Sequence, residues 1–166
     1  MKALLLAGGK GTRLYPLTSN LPKPMVPVMN MPWLEHLIRL LKSHGVTEVI
    51  CSLCYHPQAI INYFGDGDSL GVDIKYTVEK TPLGTGGAIK YAEMYFNDTF
   101  LVLNADIVTD LNIEDLISFH RKRGAAVTIA VTQVEDPKPY GLVETDETER
   151  IKRFVEKPRE EEIVSH

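Results

Sequence analysis

Short apolar runs alternate along the chain with longer stretches whose apolar positions recur every three or four residues. That alternation predicts an α/β fold: a Rossmann-like, mostly parallel sheet with helices on both faces. The first strand is Ala3–Leu6, stopping at Gly8 and Gly9, and a Pro-rich loop follows from Gly8 to Pro32. Trp33 to His44 reads as a helix. Trp33, Leu34, Leu37, Ile38, Leu40 and Leu41 form its apolar face, Glu35 and Arg39 pair on the other, and Gly45 ends it. Val49–Leu53 is the next strand and His56–Phe64 a short helix. Val72, Ile74, Tyr76 and Val78 then alternate with Asp73, Lys75, Thr77 and Glu79, a strand with one buried face.

Thr85–Phe96 is helical in pattern and Phe100–Leu103 is an apolar strand. Asn112–Arg123 carries signals at both helix ends: Asn112 as cap, Glu114 and Asp115 in the first turn, Arg121, Lys122 and Arg123 in the last, and Gly124 as stop. Val127, Ile129 and Val131 alternate with small or polar residues, the period of a strand. Leu142–Glu144 and Ile151–Val155 read as a hairpin around Asp146–Glu149, and the tail Arg159–His166 is charged.

Composition narrows the class. With 166 residues and 44% hydrophobic positions, the chain can bury a real core. The 18 basic residues fall short of the 22 acidic ones, leaving a net charge of −4. No positive surplus exists to grip a nucleic-acid backbone. No apolar run approaches the ~20 residues of a membrane span. The apolar start is too short for a secretory leader, so the cytoplasm is the expected location.

The loop Gly8-Gly9-Lys10-Gly11-Thr12-Arg13-Leu14 directly follows a strand, where open α/β sheets bind ligands. Its glycines let backbone N–H groups approach a phosphate, and Lys10 and Arg13 add charge. It lacks the Gly-Lys-Ser/Thr of one common phosphate loop, and Leu14 stands where the dinucleotide fingerprint has its third glycine or alanine. Taken singly, these features are bland: a turn for the glycines, a solvated lysine for Lys23 between Pro22 and Pro24, a turn or cap residue for Asp106 or Asp110, a surface pair for Glu156 and Lys157. Cys51 and Cys54 have a redox-like spacing. An offset of three places them on opposite faces of the strand, and no histidine set completes a metal site, so they read as buried free thiols.

Leu6-Ala7-Gly8-Gly9-Lys10-Gly11-Thr12-Arg13-Leu14, followed by Pro16-Leu17-Thr18 and Pro22-Lys23-Pro24-Met25, resembles the signature of the sugar nucleotidyltransferases, also called nucleoside-diphosphate-sugar pyrophosphorylases. Pro82-Leu83-Gly84-Thr85-Gly86-Gly87-Ala88, Leu103-Asn104-Ala105-Asp106-Ile107, Tyr140-Gly141-Leu142-Val143-Glu144 and Phe154-Val155-Glu156-Lys157-Pro158 resemble later segments of the family in the same order. Ala105 departs from the glycine that often precedes the aspartate.

The resemblance implies transfer of a nucleotidyl group from a nucleoside triphosphate to a sugar 1-phosphate, with release of pyrophosphate. Leu6, Ala7, Gly8, Gly9 and Gly84 would line the nucleotide site. Gly11, Thr12 and Arg13 would wrap its phosphates, with Arg13 on the leaving pyrophosphate and Lys23 on the reacting centre. Asp106 matches the aspartate that binds Mg²⁺. Gly141, Glu156 and Lys157 match residues that hold the sugar phosphate. Glu79 falls where family members read the base. A carboxylate only accepts hydrogen bonds and suits guanine's two donors, so GTP is the expected nucleotide, and the family association implies mannose 1-phosphate as the sugar.

Thymidylyl or uridylyl transfer to glucose 1-phosphate stays open. So do a cytidylyltransferase and a non-catalytic subunit that senses sugar nucleotides, although Arg13, Lys23 and Asp106 argue against the last. Association into a homo-oligomer is left open, and neither nucleic acid nor membrane is an expected partner. Family members run well past Pro158, so residues 1–166 are expected to form the N-terminal portion of the nucleotidyltransferase domain, with its C-terminal part absent.

Overall fold

A computed structural model describes residues 1–162; the end of the charged tail, 163–166, lies outside them. The chain divides into two compact units, Met1–Glu114 and a second that begins at Asp115.

The first unit is built on a four-stranded sheet. Its strands are β1 (Lys2–Leu6), β4 (Glu48–Leu53), β5 (Asp73–Val78) and β6 (Phe100–Asn104). Their order is β5-β4-β1-β6, and every pairing is parallel. A small antiparallel pair, β2 (Pro27–Val28) and β3 (Met31–Pro32), lies within the long loop. The crossover helices are α1 (Trp33–Ser43), α2 (Pro57–Phe64) and α3 (Gly84–Tyr91).

This strand order decides where the helices go. The chain steps from β1 to β4 to β5 in one direction, then returns across β1 to β6. Right-handed crossovers therefore put α1 and α2 on one face and α3 on the other. On the α3 face, Leu4 and its register partner Ile50 pack with Ala92, Leu6, Ile89 and Phe100. The opposite face buries Ala3, Leu5, Val49, Cys51 and Leu53, and α1 buries Leu34, Leu37, Ile38 and Leu41. Strands covered on both sides read as continuous apolar runs, which is why Ala3–Leu6 and Val49–Leu53 were legible.

The expected pairing of Glu35 with Arg39 forms, but Glu35 is buried, 6% exposed. Its Oε1 accepts from Arg39 Nε at 2.9 Å, and its Oε2 from the Tyr63 hydroxyl of α2 at 2.9 Å. The alternation in β5 breaks: Val78 is exposed, whereas Thr77 and Glu79 are buried. The helix expected over Thr85–Phe96 ends at Tyr91 and continues as a 3-10 turn at Glu93–Tyr95.

In the second unit, β7 (Gly141–Thr145) and β8 (Ile151–Glu156) form the expected antiparallel hairpin. The Asp146 carboxylate closes its turn, accepting from Thr148 N at 2.8 Å, Thr148 Oγ at 2.6 Å and Arg150 N at 3.1 Å. Helix α4 (Ile113–Arg123) spans the division between the units. Its ends are those expected: Asn112 Oδ1 accepts from Glu114 N at 3.0 Å, and Gly124 follows with φ +57°. Val127, Ile129 and Val131 belong to no strand and are exposed. Their period is a strand's, but a strand needs a neighbour for its backbone groups, and they pair with none of the described residues. No helix among the described residues is long and apolar enough to cross a membrane.

Candidate active site

The carboxyl ends of all four parallel strands open into one cleft of about 350 Å³. β1 lies where the chain reverses its direction across the sheet, the switch point at which open α/β sheets leave a crevice. Leu6, Ala7, Gly8 and Gly9 line the cleft from the end of β1, Ser52 and Cys54 from β4, and Glu79 from β5. Asn104 and Asp106 come from the end of β6, Lys23 and Pro24 from the long loop, and Pro82, Gly84, Thr85 and Ala88 from the start of α3.

Backbone hydrogen bonds hold these strand ends together. Ala7 N donates to Ser52 O at 2.8 Å, Ala105 N to Leu6 O at 3.0 Å, and Glu79 N to Leu53 O at 2.8 Å. The cleft floor is therefore an extension of the sheet ladder.

The structure brings Leu6, Ala7, Gly8, Gly9, Lys23, Glu79, Gly84 and Asp106 together in this wall. Gly11, Thr12 and Arg13 do not line it: Thr12–Leu14 form a 3-10 turn, with Thr12 and Arg13 exposed. Gly11 nonetheless ties this turn to the site. Its φ is +66°, and a Cβ there would lie 2.7 Å from the Lys23 Cβ and 3.0 Å from the Thr18 Cγ2. Only glycine tolerates both the left-handed backbone and that approach. The buried Thr18 hydroxyl donates to Gly11 O at 2.9 Å and fixes the turn.

One ion pair and one hydrogen-bonded carboxylate set the polar character of the cleft. Lys23 Nζ donates to Asp106 Oδ2 at 2.6 Å. Glu79, 8% exposed, accepts from the Ser52 hydroxyl and from Leu83 N, each at 2.9 Å. Trp33 Nε1 donates to Ile107 O at 2.9 Å and so braces the segment that carries Asp106.

Asp106 is a cleft carboxylate that could hold a metal ion. No cluster of three or more His, Cys, Asp or Glu side chains occurs among the described residues. Of the two cleft carboxylates, Glu79 already accepts from Ser52 and Leu83 N, which leaves Asp106; a single protein carboxylate suits a hard cation that takes most of its oxygens from substrate and water.

The thiols divide. Cys51 is buried, and burial pushes its thiol up to about 12, as expected for an inert core cysteine. Cys54 is not core: β4 ends at Leu53, and Cys54 stands half-buried on the cleft wall, its Cβ 3.1 Å from where a Gly8 Cβ would be. An offset of three from Cys51 gives Cys54 no strand face, because the strand stops first. Sequence reasoning also passed over Ser52, Thr85 and Asn104. A serine inside the apolar run Val49–Leu53 is the signal that could have marked the first of them.

In the second unit, the hairpin gathers the three remaining candidates. Gly141 and Glu156 are register partners. Lys157 follows with φ +50°, its N–H donating to Tyr140 O at 2.9 Å. A non-glycine residue in that region costs about 1–3 kcal/mol and clusters at functional sites.

The sequence profile described as Nucleotidyl transferase matches residues 2–165. A probable mannose-1-phosphate guanylyltransferase 1 of Oryza sativa subsp. japonica is 44% identical, over 96% of this chain and 46% of its own length. A mannose-1-phosphate guanylyltransferase of Mycobacterium tuberculosis is also 44% identical, over 93% of this chain and 44% of its own. The chain thus spans about half the length of these relatives. Among solved structures, HddC from Yersinia pseudotuberculosis complexed with GMP-PN is 33% identical with a TM-score of 0.81, over 95% of this chain and 70% of that one. A putative glucose-1-phosphate thymidylyltransferase from Bacillus anthracis gives a TM-score of 0.87 at 27% identity, over 95% of this chain and 65% of that one.

Proposed function

The chain belongs to the nucleotidyl transferase family, and from that premise we propose that it supplies the nucleotide site of a sugar-1-phosphate nucleotidyltransferase. Its substrates are GTP and mannose 1-phosphate, and its products are GDP-mannose and pyrophosphate. The observation that carries this reading is the meeting of Lys23 and Asp106, 2.6 Å apart, in a glycine-walled cleft at the carboxyl edge of the sheet.

The chemistry joins two polyanions, so their repulsion is the first obstacle. The attacking oxygen of the sugar phosphate is already ionised near neutral pH and needs no general base. Its bond to the α-phosphorus forms as the bond to the β-phosphate oxygen breaks, and pyrophosphate leaves with the electron pair. Positioning and charge compensation then account for most of the rate. Lys23 neutralises the reacting phosphates, and Arg13 reaches the leaving pyrophosphate from its exposed turn. Gly8 and Gly9 let backbone approach the nucleotide. Gly141, Glu156 and Lys157 take the sugar phosphate by a backbone amide, a carboxylate on its hydroxyls and an ammonium on its phosphate. A divalent cation, which we take to be Mg²⁺, would supply further charge neutralisation when bound, with Asp106 as its protein ligand.

Glu79 favours guanine because an ionised carboxylate meets the N1–H and 2-amino donors, whereas a pyrimidine carbonyl would face another acceptor. The two relatives named as guanylyltransferases support the same choice. Thermal unfolding with GTP, ATP, UTP and dTTP, each with and without Mg²⁺, tests the reading. GTP with Mg²⁺ should give the largest stabilisation. A larger shift with dTTP would replace the guanylyl assignment by a thymidylyl one, and no shift with any nucleotide would remove the nucleotide site altogether.

A further inference from the structure

Ser52 is 1% exposed and interrupts the apolar run of β4. A hydroxyl at such a place is costly unless it finds a partner. Its partner is Glu79 Oε1 at 2.9 Å, while Glu79 Oε2 accepts from Leu83 N at 2.9 Å. The carboxylate is therefore held from two sides: by the end of β4, and by the backbone just before α3. Thr77, the register partner of Ser52, keeps a buried hydroxyl with no hydrogen-bond partner. The Ser52 proton goes to Glu79 and not across to Thr77.

We propose that Ser52 is a specificity-determining positioning residue whose hydroxyl sets the plane in which the Glu79 carboxylate meets the nucleotide base. The proposal rests on the reading of Glu79 as the base-contacting group. An ionised carboxylate has about four acceptor sites. Ser52 and Leu83 fill two, leaving two for a base edge with two adjacent donors, as guanine presents. Without the Ser52 bond the carboxylate pivots about its contact to Leu83, and the match to two donors at once is lost.

The same geometry determines what a glutamine at position 79 would do. Leu83 N–H is a fixed donor, so it requires the amide oxygen on its side. The amide NH₂ then falls beside Ser52, whose hydroxyl turns round and accepts. Glutamine is thereby held in one orientation, offering one acceptor and one donor, the pattern that complements a thymine or uracil edge. Ser52 suits either residue because a hydroxyl both donates and accepts, and an alanine would hold neither.

The test is isothermal titration of the full chain with GTP and with dTTP, both with Mg²⁺, read as the ratio of the two affinities. Ser52→Ala should lower the GTP:dTTP ratio about tenfold, the scale of one hydrogen bond to a charged group, and Ser52→Thr should keep it. In the Glu79→Gln background, dTTP should gain on GTP, and adding Ser52→Ala should erase that gain. If Glu79→Gln moves the ratio and Ser52→Ala does not, the positioning role is refuted and the base reading survives. If Glu79→Gln leaves the ratio unmoved, the base reading falls and this proposal with it. Equal loss of both nucleotides in Ser52→Ala assigns the residue to structure alone and overturns the proposal. Should Ser52→Ala not fold, the nearly isosteric Ser52→Cys, a weak donor, carries the same comparison, with a lowered ratio expected and an unchanged one refuting it.

Discussion

The Lys23 ammonium sits 2.6 Å from an Asp106 carboxylate oxygen, joining residues 83 positions apart in the chain. Their side chains are 27% and 41% exposed, and an ion pair that open contributes only ~0–1 kcal/mol to stability. The pair is better suited to function than to holding the fold. Lys23→Met and Asp106→Asn should each leave the melting temperature nearly unchanged. Each should weaken GTP binding in Mg²⁺ by about tenfold or more, as expected for a lost charge-assisted contact. Titration calorimetry on the two variants checks this, and affinities equal to the parent's would separate the pair from the nucleotide.

Gly11 couples the glycine-rich turn to Lys23. Gly11→Ala forces a side chain into left-handed backbone at a cost of roughly 1–2 kcal/mol, and its Cβ would meet the Lys23 Cβ at 2.7 Å. Stability and GTP affinity should fall together. Gly9 has nothing within 4 Å of an added Cβ, so Gly9→Ala should leave stability intact. Melting curves for the two variants give the comparison, and equal losses would contradict the packing argument.

The thiols should differ in reactivity. Cys54 lines the cleft, whereas burial raises the Cys51 thiol to about 12. Iodoacetamide near pH 8 should label Cys54 alone, and GTP with Mg²⁺ should slow that labelling. The raised thiol also sets a pH trend. An ordinary thiol ionises near 9.0, so between there and about 12 the unfolded chain loses a proton that folded Cys51 keeps. That contribution to stability declines as pH rises through the window, and Cys51→Ala should remove it. Peptide mass spectrometry reads the labelling; modification of Cys51 in the folded protein would refute its burial.

Trp33 is the single tryptophan, and its indole N–H donates to Ile107 O, next to Asp106. Its emission should respond when GTP and Mg²⁺ load the site. Trp33→Phe should cost about 0.5–1.5 kcal/mol of stability through the lost hydrogen bond. A fluorescence titration that stays flat while calorimetry shows binding would break the link between this indole and the Asp106 segment.

What the sequence determined by itself was local. The α4 ends were legible because cap and stop residues act within a turn of the helix, as Asn112 and Gly124 do. The β7–β8 hairpin was legible because its turn chemistry, centred on Asp146, lies between the two strands it joins. The ordered glycine, lysine and aspartate segments named the family, since their types and order survive without coordinates.

Tertiary structure alone decided what those residues meet. The strand order β5-β4-β1-β6 places the ends of β1 and β6 side by side, and so sets Asp106 against Lys23. The same order puts Ser52 beside Glu79, a contact across 27 residues that no periodicity records. Glu35 is buried because α2 lays Tyr63 over it, and Cys54 joins the cleft because β4 ends one residue earlier. Val127, Ile129 and Val131 carry a strand's period and form none among the described residues. Period is a property of a segment, whereas a strand is a property of a pair, and the pairing is settled by how the whole sheet assembles.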